Sequence, residues 1–133
     1  MPYVVDASVA SSWVLPDEHH AVAERALVRA EDDQAIAPWL LWFELRNILM
    51  VAERRKRLDA DKTEEALQRL ARLPIALDDA PDELVVMTLA RRRRLTVHDA
   101  AYLELSLRKG IPLATVDAAL AGAARSEGAA LIE

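Results

Sequence analysis

The sequence predicts an α/β fold, a three-layer α/β/α arrangement with a central, mainly parallel sheet of four to five strands. Three observations carry this. Short apolar segments alternate with longer helical ones along the whole chain, as in a sheet whose strands are joined by crossover helices. The first segment, Tyr3-Val4-Val5, is apolar at successive positions, as a strand covered on both faces must be. Pro16, Pro38, Pro81 and Gly110 punctuate the segments, where proline starts or stops a helix and glycine closes one. With 133 residues, 53% hydrophobic and 29% charged, the chain has the size and composition of a single domain over residues 1–133 that folds without staples.

Each element has a local reason. After the Tyr3–Val5 strand, a helical stretch from about Ser8 to Leu15 stops near Pro16, and an amphipathic one follows from about His19 to Ala30. Ala35 to Ala37 is a short strand. Pro38 to about Arg57 is the longest helix, with proline in its first turn and Arg54-Arg55-Lys56-Arg57 at the negative pole of its dipole. Asp61 followed by Glu64 resembles a capping box for a helix running to about Leu73. Ile75 to Leu77 is a strand, and Pro81 opens a helix ending in Arg91-Arg92-Arg93-Arg94. Thr96-Val97-His98 leads into a helix from about Asp99 to Lys109, closed by Gly110. Pro112 to Val116 is a strand, Ala118 to about Ser126 a helix and Ala129 to Ile132 a final strand.

Several function classes fall away. The chain has no cysteine, which removes disulfides and Cys-ligated zinc and agrees with a reducing compartment. Its three glycines, Gly110, Gly122 and Gly128, cannot form the dinucleotide fingerprint or the P-loop. G-x-S-x-G is missing as well. No apolar run reaches the ~18 to 20 residues of a membrane span, and the opening residues lack the basic start and cleavage site of a signal peptide. A soluble cytoplasmic protein is expected. His19 and His20 are adjacent and lack a third ligand, which reads as a solvated loop.

Four acids stand out. Asp6 and Asp117 each follow a predicted strand, at the carboxyl edge where open parallel sheets gather ligands, and each can equally cap the next helix. Glu44 has Leu40, Leu41, Asn47 and Ile48 at helical spacing, so its carboxylate sits in a largely apolar stripe. Kept ionised there, it needs a metal or a basic partner; otherwise it reaches water at the stripe's edge. Arg46 points elsewhere on the helix. Asp99 opens its helix, where the dipole favours a carboxylate with or without chemistry. Together they are oxygen ligands of the kind a hard divalent cation takes, provided the fold brings them together.

The segments Val4-Val5-Asp6-Ala7-Ser8, Pro38-Trp39-Leu40-Leu41-Trp42-Phe43-Glu44-Leu45-Arg46-Asn47, Leu95-Thr96-Val97-His98-Asp99-Ala100-Ala101-Tyr102-Leu103 and Leu113-Ala114-Thr115-Val116-Asp117 resemble the four motifs of PIN-domain ribonucleases. They are most similar to those of VapC-type toxins of toxin–antitoxin pairs, in the same order and across nearly the whole chain. One departure is His98, where family members often carry tyrosine before the third acid.

The resemblance implies a PIN-like fold and an endoribonuclease dependent on Mg²⁺ or Mn²⁺, with Asp6, Glu44, Asp99 and Asp117 as the metal site. A bound cation would make water a stronger nucleophile and offset charge on the phosphate. Ser8, Thr115 and Asn47 match positions that orient water or a carboxylate, and each has a capping or packing reading too. Arg46, Arg91 and Arg92 are the candidate RNA contacts, although arginines at helix C-termini are stabilising without any ligand. His98 is a candidate for proton transfer or an ordinary helix-start residue. The resemblance also implies a homodimer and a cognate VapB-like antitoxin. The apolar Trp39–Phe43 and Ile48–Val51 stretches, with Trp13 and Leu15, are candidates for the groove such a partner fills. Two other classes remain: a receiver-like Mg²⁺-binding signalling domain, and a catalytically silent PIN scaffold that binds RNA.

The formal net charge of −5 taken alone argues against nucleic acid. With the four candidate ligands set aside, the rest of the 22 acidic residues nearly balance the 17 basic ones. On this reading nearly all the excess acidity would sit in one pocket.

Overall fold

In the computed structural model, which describes residues 1–15 and 17–133, the chain folds as β1 (Tyr3–Val5), α1 (Ala7–Ser12), α2 (Ala21–Arg29), β2 (Ala35–Pro38), α3 (Leu40–Arg54), α4 (Ala60–Arg72), β3 (Ile75–Asp78), α5 (Glu83–Arg93), α6 (Val97–Lys109), β4 (Leu113–Ala114) and α7 (Ala118–Ser126). The four strands are all parallel and lie in the order β3-β2-β1-β4. The chain moves outward from β1 through β2 to β3, then returns through α5 and α6 to place β4 on the other side of β1. Right-handed crossovers put the helices of these two routes on opposite faces, giving three layers. The order differs from the 2-1-3-4-5 of receiver-type sheets, so the receiver-like reading is set aside.

Burial explains the strand at the centre. Tyr3, Val4 and Val5 are wholly buried, and around them pack Val9, Ala10, Ala26, Leu41, Leu45, Leu103, Leu105, Leu113 and Leu120. Tyr3 tolerates this position because its hydroxyl donates to the Ala26 carbonyl at 2.6 Å, meeting the cost of a buried polar group. A second apolar cluster joins Val14, Leu15, Leu49, Ala52, Leu58 and Ala66. Leu15 is therefore part of this core, and it also lines a small pocket with Asp17, Ala52, Arg57 and Leu58.

Several boundaries move for local reasons. Pro38 ends β2, paired with Asp78 of β3, and the helix begins two residues later. That helix stops at Arg54, because Lys56 turns left-handed at φ 60°. Helix α4 is capped by Asp59, whose carboxylate accepts from the Lys62 N–H at 2.8 Å, not by the Asp61–Glu64 pair. Asp82, not Pro81, starts α5, accepting from the Val85 N–H at 3.1 Å. The first helix is shorter than expected, Ala7–Ser12, and its expected stop at Pro16 lies outside the described residues. Gly110 closes α6 at φ 63°, as its lack of a Cβ allows. The fifth strand contracts to a single parallel bridge between Leu131 and Leu113. No described helix is long and apolar enough to cross a membrane.

Candidate active site

The register of the sheet brings the first pair of site residues together. Val5 of β1 lies opposite Ala114 of β4, so the next residues, Asp6 and Thr115, are neighbours at the carboxyl edge. The Asp6 N–H completes the ladder on the Ala114 carbonyl at 3.2 Å. Asp6 is buried, with three donors on its carboxylate. Ser8 Oγ donates to Oδ1 at 2.6 Å, the Val9 N–H donates to Oδ1 at 3.0 Å, and Thr115 Oγ1 donates to Oδ2. The capping role and a place at the sheet edge thus coincide in one residue. Ser8 Oγ in turn accepts from the Val116 N–H at 3.1 Å, and Thr115 Oγ1 accepts from the Asp117 N–H at 3.0 Å. The two hydroxyls tie the end of β1 to the loop that carries Asp117.

Asp117 caps α7, its Oδ1 accepting from the Ala119 N–H at 2.9 Å. Asp99 stands in the first turn of α6, where Thr96 is the cap and accepts from the Asp99 N–H at 3.1 Å. Glu44 lies on α3, half-buried, and its Oε1 accepts from the Tyr102 hydroxyl at 2.5 Å. Tyr102 was not singled out from the sequence. The available signal was its spacing, one turn after Asp99 and so on the same helix face.

Electrostatics ties the four carboxylates together. Burial pushes the Asp6 carboxyl above the usual range, and the charge of Asp117 adds to that rise while the Ser8, Thr115 and Val9 donors oppose it. Burial also raises Glu44, with Asp99 and Asp6 adding to it and Tyr102 and His98 opposing. Asp99 is raised by burial and then by Asp117. The Tyr102 phenol is raised by burial, by its bond to Glu44 and by the charges of Glu44, Asp6 and Asp99. Asp6, Glu44 and Asp99 are thus each raised by burial and by at least one neighbouring acid.

Among the described residues no three His, Asp or Glu side chains form a ready-made metal cage. The donor set itself fits a hard divalent cation: carboxylate oxygens from separate elements, two of them backed by neutral hydroxyls.

The remaining candidates divide. Asn47 is exposed one turn after Glu44 and lines an open pocket with Leu40, Phe43, Glu44, Ile48 and His98. Arg46 turns away from the acids: its guanidinium lies 4.0 Å from the Trp42 ring centroid and donates to the Trp42 carbonyl at 3.2 Å. Arg92 is engaged by Glu127 through bonds of 2.9 and 2.7 Å, and Arg93 joins the same carboxylate at 2.6 Å. Two neighbouring cations hold Glu127 below the ordinary glutamate range. A phosphate would have to displace that pairing to use Arg92. Arg91 is exposed. On α3, Leu41, Leu45 and Leu49 are buried while Trp42, Phe43 and Met50, and Trp39 just before the helix, are exposed, so the helix is apolar on an open face as well as on its core face. Trp13 is half-buried and its indole N–H donates to the Ala23 carbonyl at 2.8 Å.

The family model of the PIN domain matches residues 3–131. Ribonuclease VapC3 of Pyrobaculum aerophilum is 33% identical over 124 residues, 91% of this chain and 93% of that protein. Among solved structures, PAE2754 from Pyrobaculum aerophilum superposes with a TM-score of 0.70 at 24% identity, covering 99% of this chain and 92% of its own. FitAcB from Neisseria gonorrhoeae gives 0.68 at 17% identity, with 98% and 96% covered. Mycobacterium tuberculosis VapC20, described as a Sarcin-Ricin loop cleaving toxin, gives 0.62 at 16% identity, with 91% and 94% covered. A family match over nearly the whole chain, together with a VapC relative of similar length, shows that this protein belongs to the PIN domain family.

Proposed function

We propose that this protein is an endoribonuclease dependent on Mg²⁺ or Mn²⁺, acting as the toxin of a VapBC-like pair in the cytoplasm, with residues 1–133 as one PIN domain. The observation that carries the reading is the hydrogen-bonded linkage around the candidate acids: Ser8 and Thr115 join Asp6 to the Asp117 loop, and Tyr102 joins Glu44 to the helix that bears Asp99. Carboxylates that raise one another's proton affinity cost stability, and a bound cation removes that cost. Similarity to Ribonuclease VapC3 supports RNA as the substrate class.

In this reading the four acids hold the cation and the neighbouring hydroxyls keep them aimed. Ser8 and Thr115 present the Asp6 carboxylate in one orientation and link it to the Asp117 loop. A divalent cation held there supplies Lewis-acid chemistry, activating water and offsetting charge on the phosphate and leaving oxygen. Asn47 and His98 line the pocket beside Glu44, in place to meet the RNA flanking the scissile bond. The exposed Trp39, which precedes α3, and Trp42 and Phe43 of α3 are the surface we assign to protein partners, a second copy or the antitoxin.

Replacing Asp6 with Asn tests the reading. EDTA-sensitive cleavage of RNA should fall by more than about 100-fold, beyond what loss of a supporting partner costs, and growth arrest on expression should be relieved. Undiminished cleavage by that variant sinks the proposal. A silent scaffold would show neither cleavage nor stabilisation of the wild-type protein by Mn²⁺.

A further inference from the structure

We infer that Tyr102 is a positioning residue that sets the metal affinity of the acidic site by holding one oxygen of Glu44. The inference rests on the proposed role of Glu44 as a ligand and adds a determinant from outside the four acids. Three observations carry it.

The first is the bond itself. The Tyr102 hydroxyl donates to Glu44 Oε1 at 2.5 Å, the length of a charge-assisted bond to a carboxylate. With Oε1 engaged, Oε2 is the oxygen left for a ligand.

The second is where the donor stands. Tyr102 is 1% exposed and belongs to the main core cluster, so the ring has one place to be. Glu44 has three side-chain torsions and sits half-buried on the wall of an open pocket. Unheld, it would lose that freedom each time a cation bound. Tyr102 lies one turn after Asp99 on α6, and Glu44 lies on α3, so the same bond couples two of the acid-bearing helices.

The third is the chemistry of the donor. An arginine would hold Glu44 as firmly but would neutralise it and compete with a cation. A phenol orients the carboxylate and leaves its charge in place. Asp6 is treated alike, with the hydroxyls of Ser8 and Thr115 as its side-chain donors. Basic residues are plentiful, 17 in all, yet neutral hydroxyls occupy these positions.

The test is Tyr102→Phe in the full chain, which keeps the buried ring and removes the donor; Tyr102→Met serves if the Phe variant does not fold. Mn²⁺ is the probe, titrated by calorimetry or by its electron paramagnetic resonance signal. The expected result is a Kd for Mn²⁺ about 10-fold weaker than wild type, at the lower end of what a lost supporting partner costs. Far-UV circular dichroism of the metal-free protein should be unchanged. Half-maximal RNA cleavage should need correspondingly more Mn²⁺, with a plateau within a few-fold of wild type. In a Glu44→Ala background, adding Tyr102→Phe should change the Kd no further. A wild-type Kd in Tyr102→Phe overturns the inference, as does an equal weakening in the Glu44→Ala background, which marks a general structural effect. Failure of wild-type protein to bind Mn²⁺ overturns the metal reading and this inference with it. Binding by wild type that Tyr102→Phe leaves untouched overturns this inference alone.

Discussion

Replacing Thr115 with Val isolates what holds the first acid. Val keeps the shape of Thr at a position that is only 6% exposed, so packing is preserved and the hydroxyl alone is lost. That hydroxyl donates to Asp6 Oδ2 and accepts from the Asp117 N–H. A hydrogen bond to an ionised group contributes about 1.5–3 kcal/mol. Asp6 keeps its Ser8 and Val9 donors on the other oxygen, and the Asp117 N–H is near enough to the surface to find water. We therefore expect a loss of about 2 kcal/mol, in the lower half of that range. At roughly 3–5 °C per kcal/mol for a chain of this length, Tm should drop by about 6–10 °C. Thr115→Ser keeps the hydroxyl and deletes a methyl group, which should cost about 1 kcal/mol or less. Calorimetric melts of the three proteins at pH 7.5 with EDTA provide the comparison. If the Val variant melts within about 2 °C of wild type, the hydroxyl is idle and the linked arrangement of Asp6 and Asp117 is wrong.

Two further predictions concern charge. Burial, with the charge of Asp117 adding to it, raises the Asp6 carboxyl in the fold, so its favourable contribution is complete below the unfolded value near pH 4 and is lost as pH rises through the folded value. Asp6→Asn removes that loss, and the stability difference between variant and metal-free wild type should grow in the variant's favour from about pH 4 upward. Urea melts across pH, in EDTA, read this directly; a difference that stays flat or shrinks contradicts the assigned direction. Away from the site, Glu104 is 1% exposed and is held by Arg108 Nε at 2.6 Å and the Asp82 N–H at 3.3 Å. Arg108 also reaches Asp78 at 2.6 Å and so joins α6 to the end of β3. Arg108→Met leaves a buried acid without its cation and should cost about 3–5 kcal/mol; a loss below about 1 kcal/mol, the value of a surface pair, would show that Glu104 reaches water.

How much of this was readable in advance depended on how local the signal was. Strand Tyr3–Val5 and the Gly110 cap are set by residues within a few positions of one another, and both were legible. Helix starts were less so, because several acids competed for each cap: Asp59 prevailed over Asp61, and the one with the right extended backbone cannot be picked by spacing alone. Arg46, Arg91 and Arg92 looked equivalent as basic residues near motifs. Arg46 found an aromatic ring and Arg92 a carboxylate 35 positions away, and no local pattern announces either.

The sequence by itself determined the class of fold, the four acids and the kinship they imply, because apolar periodicity and motif order are written along the chain. Only the tertiary structure decided how the acids are held. The register that sets Val5 against Ala114 places Thr115 beside Asp6, and the seating of α3 and α6 against β2 brings Tyr102 to Glu44 across 58 positions. Long-range hydrogen bonds of this kind depend on which strand lies next to which, and the return of β4 to the far side of β1 is a property of the whole fold.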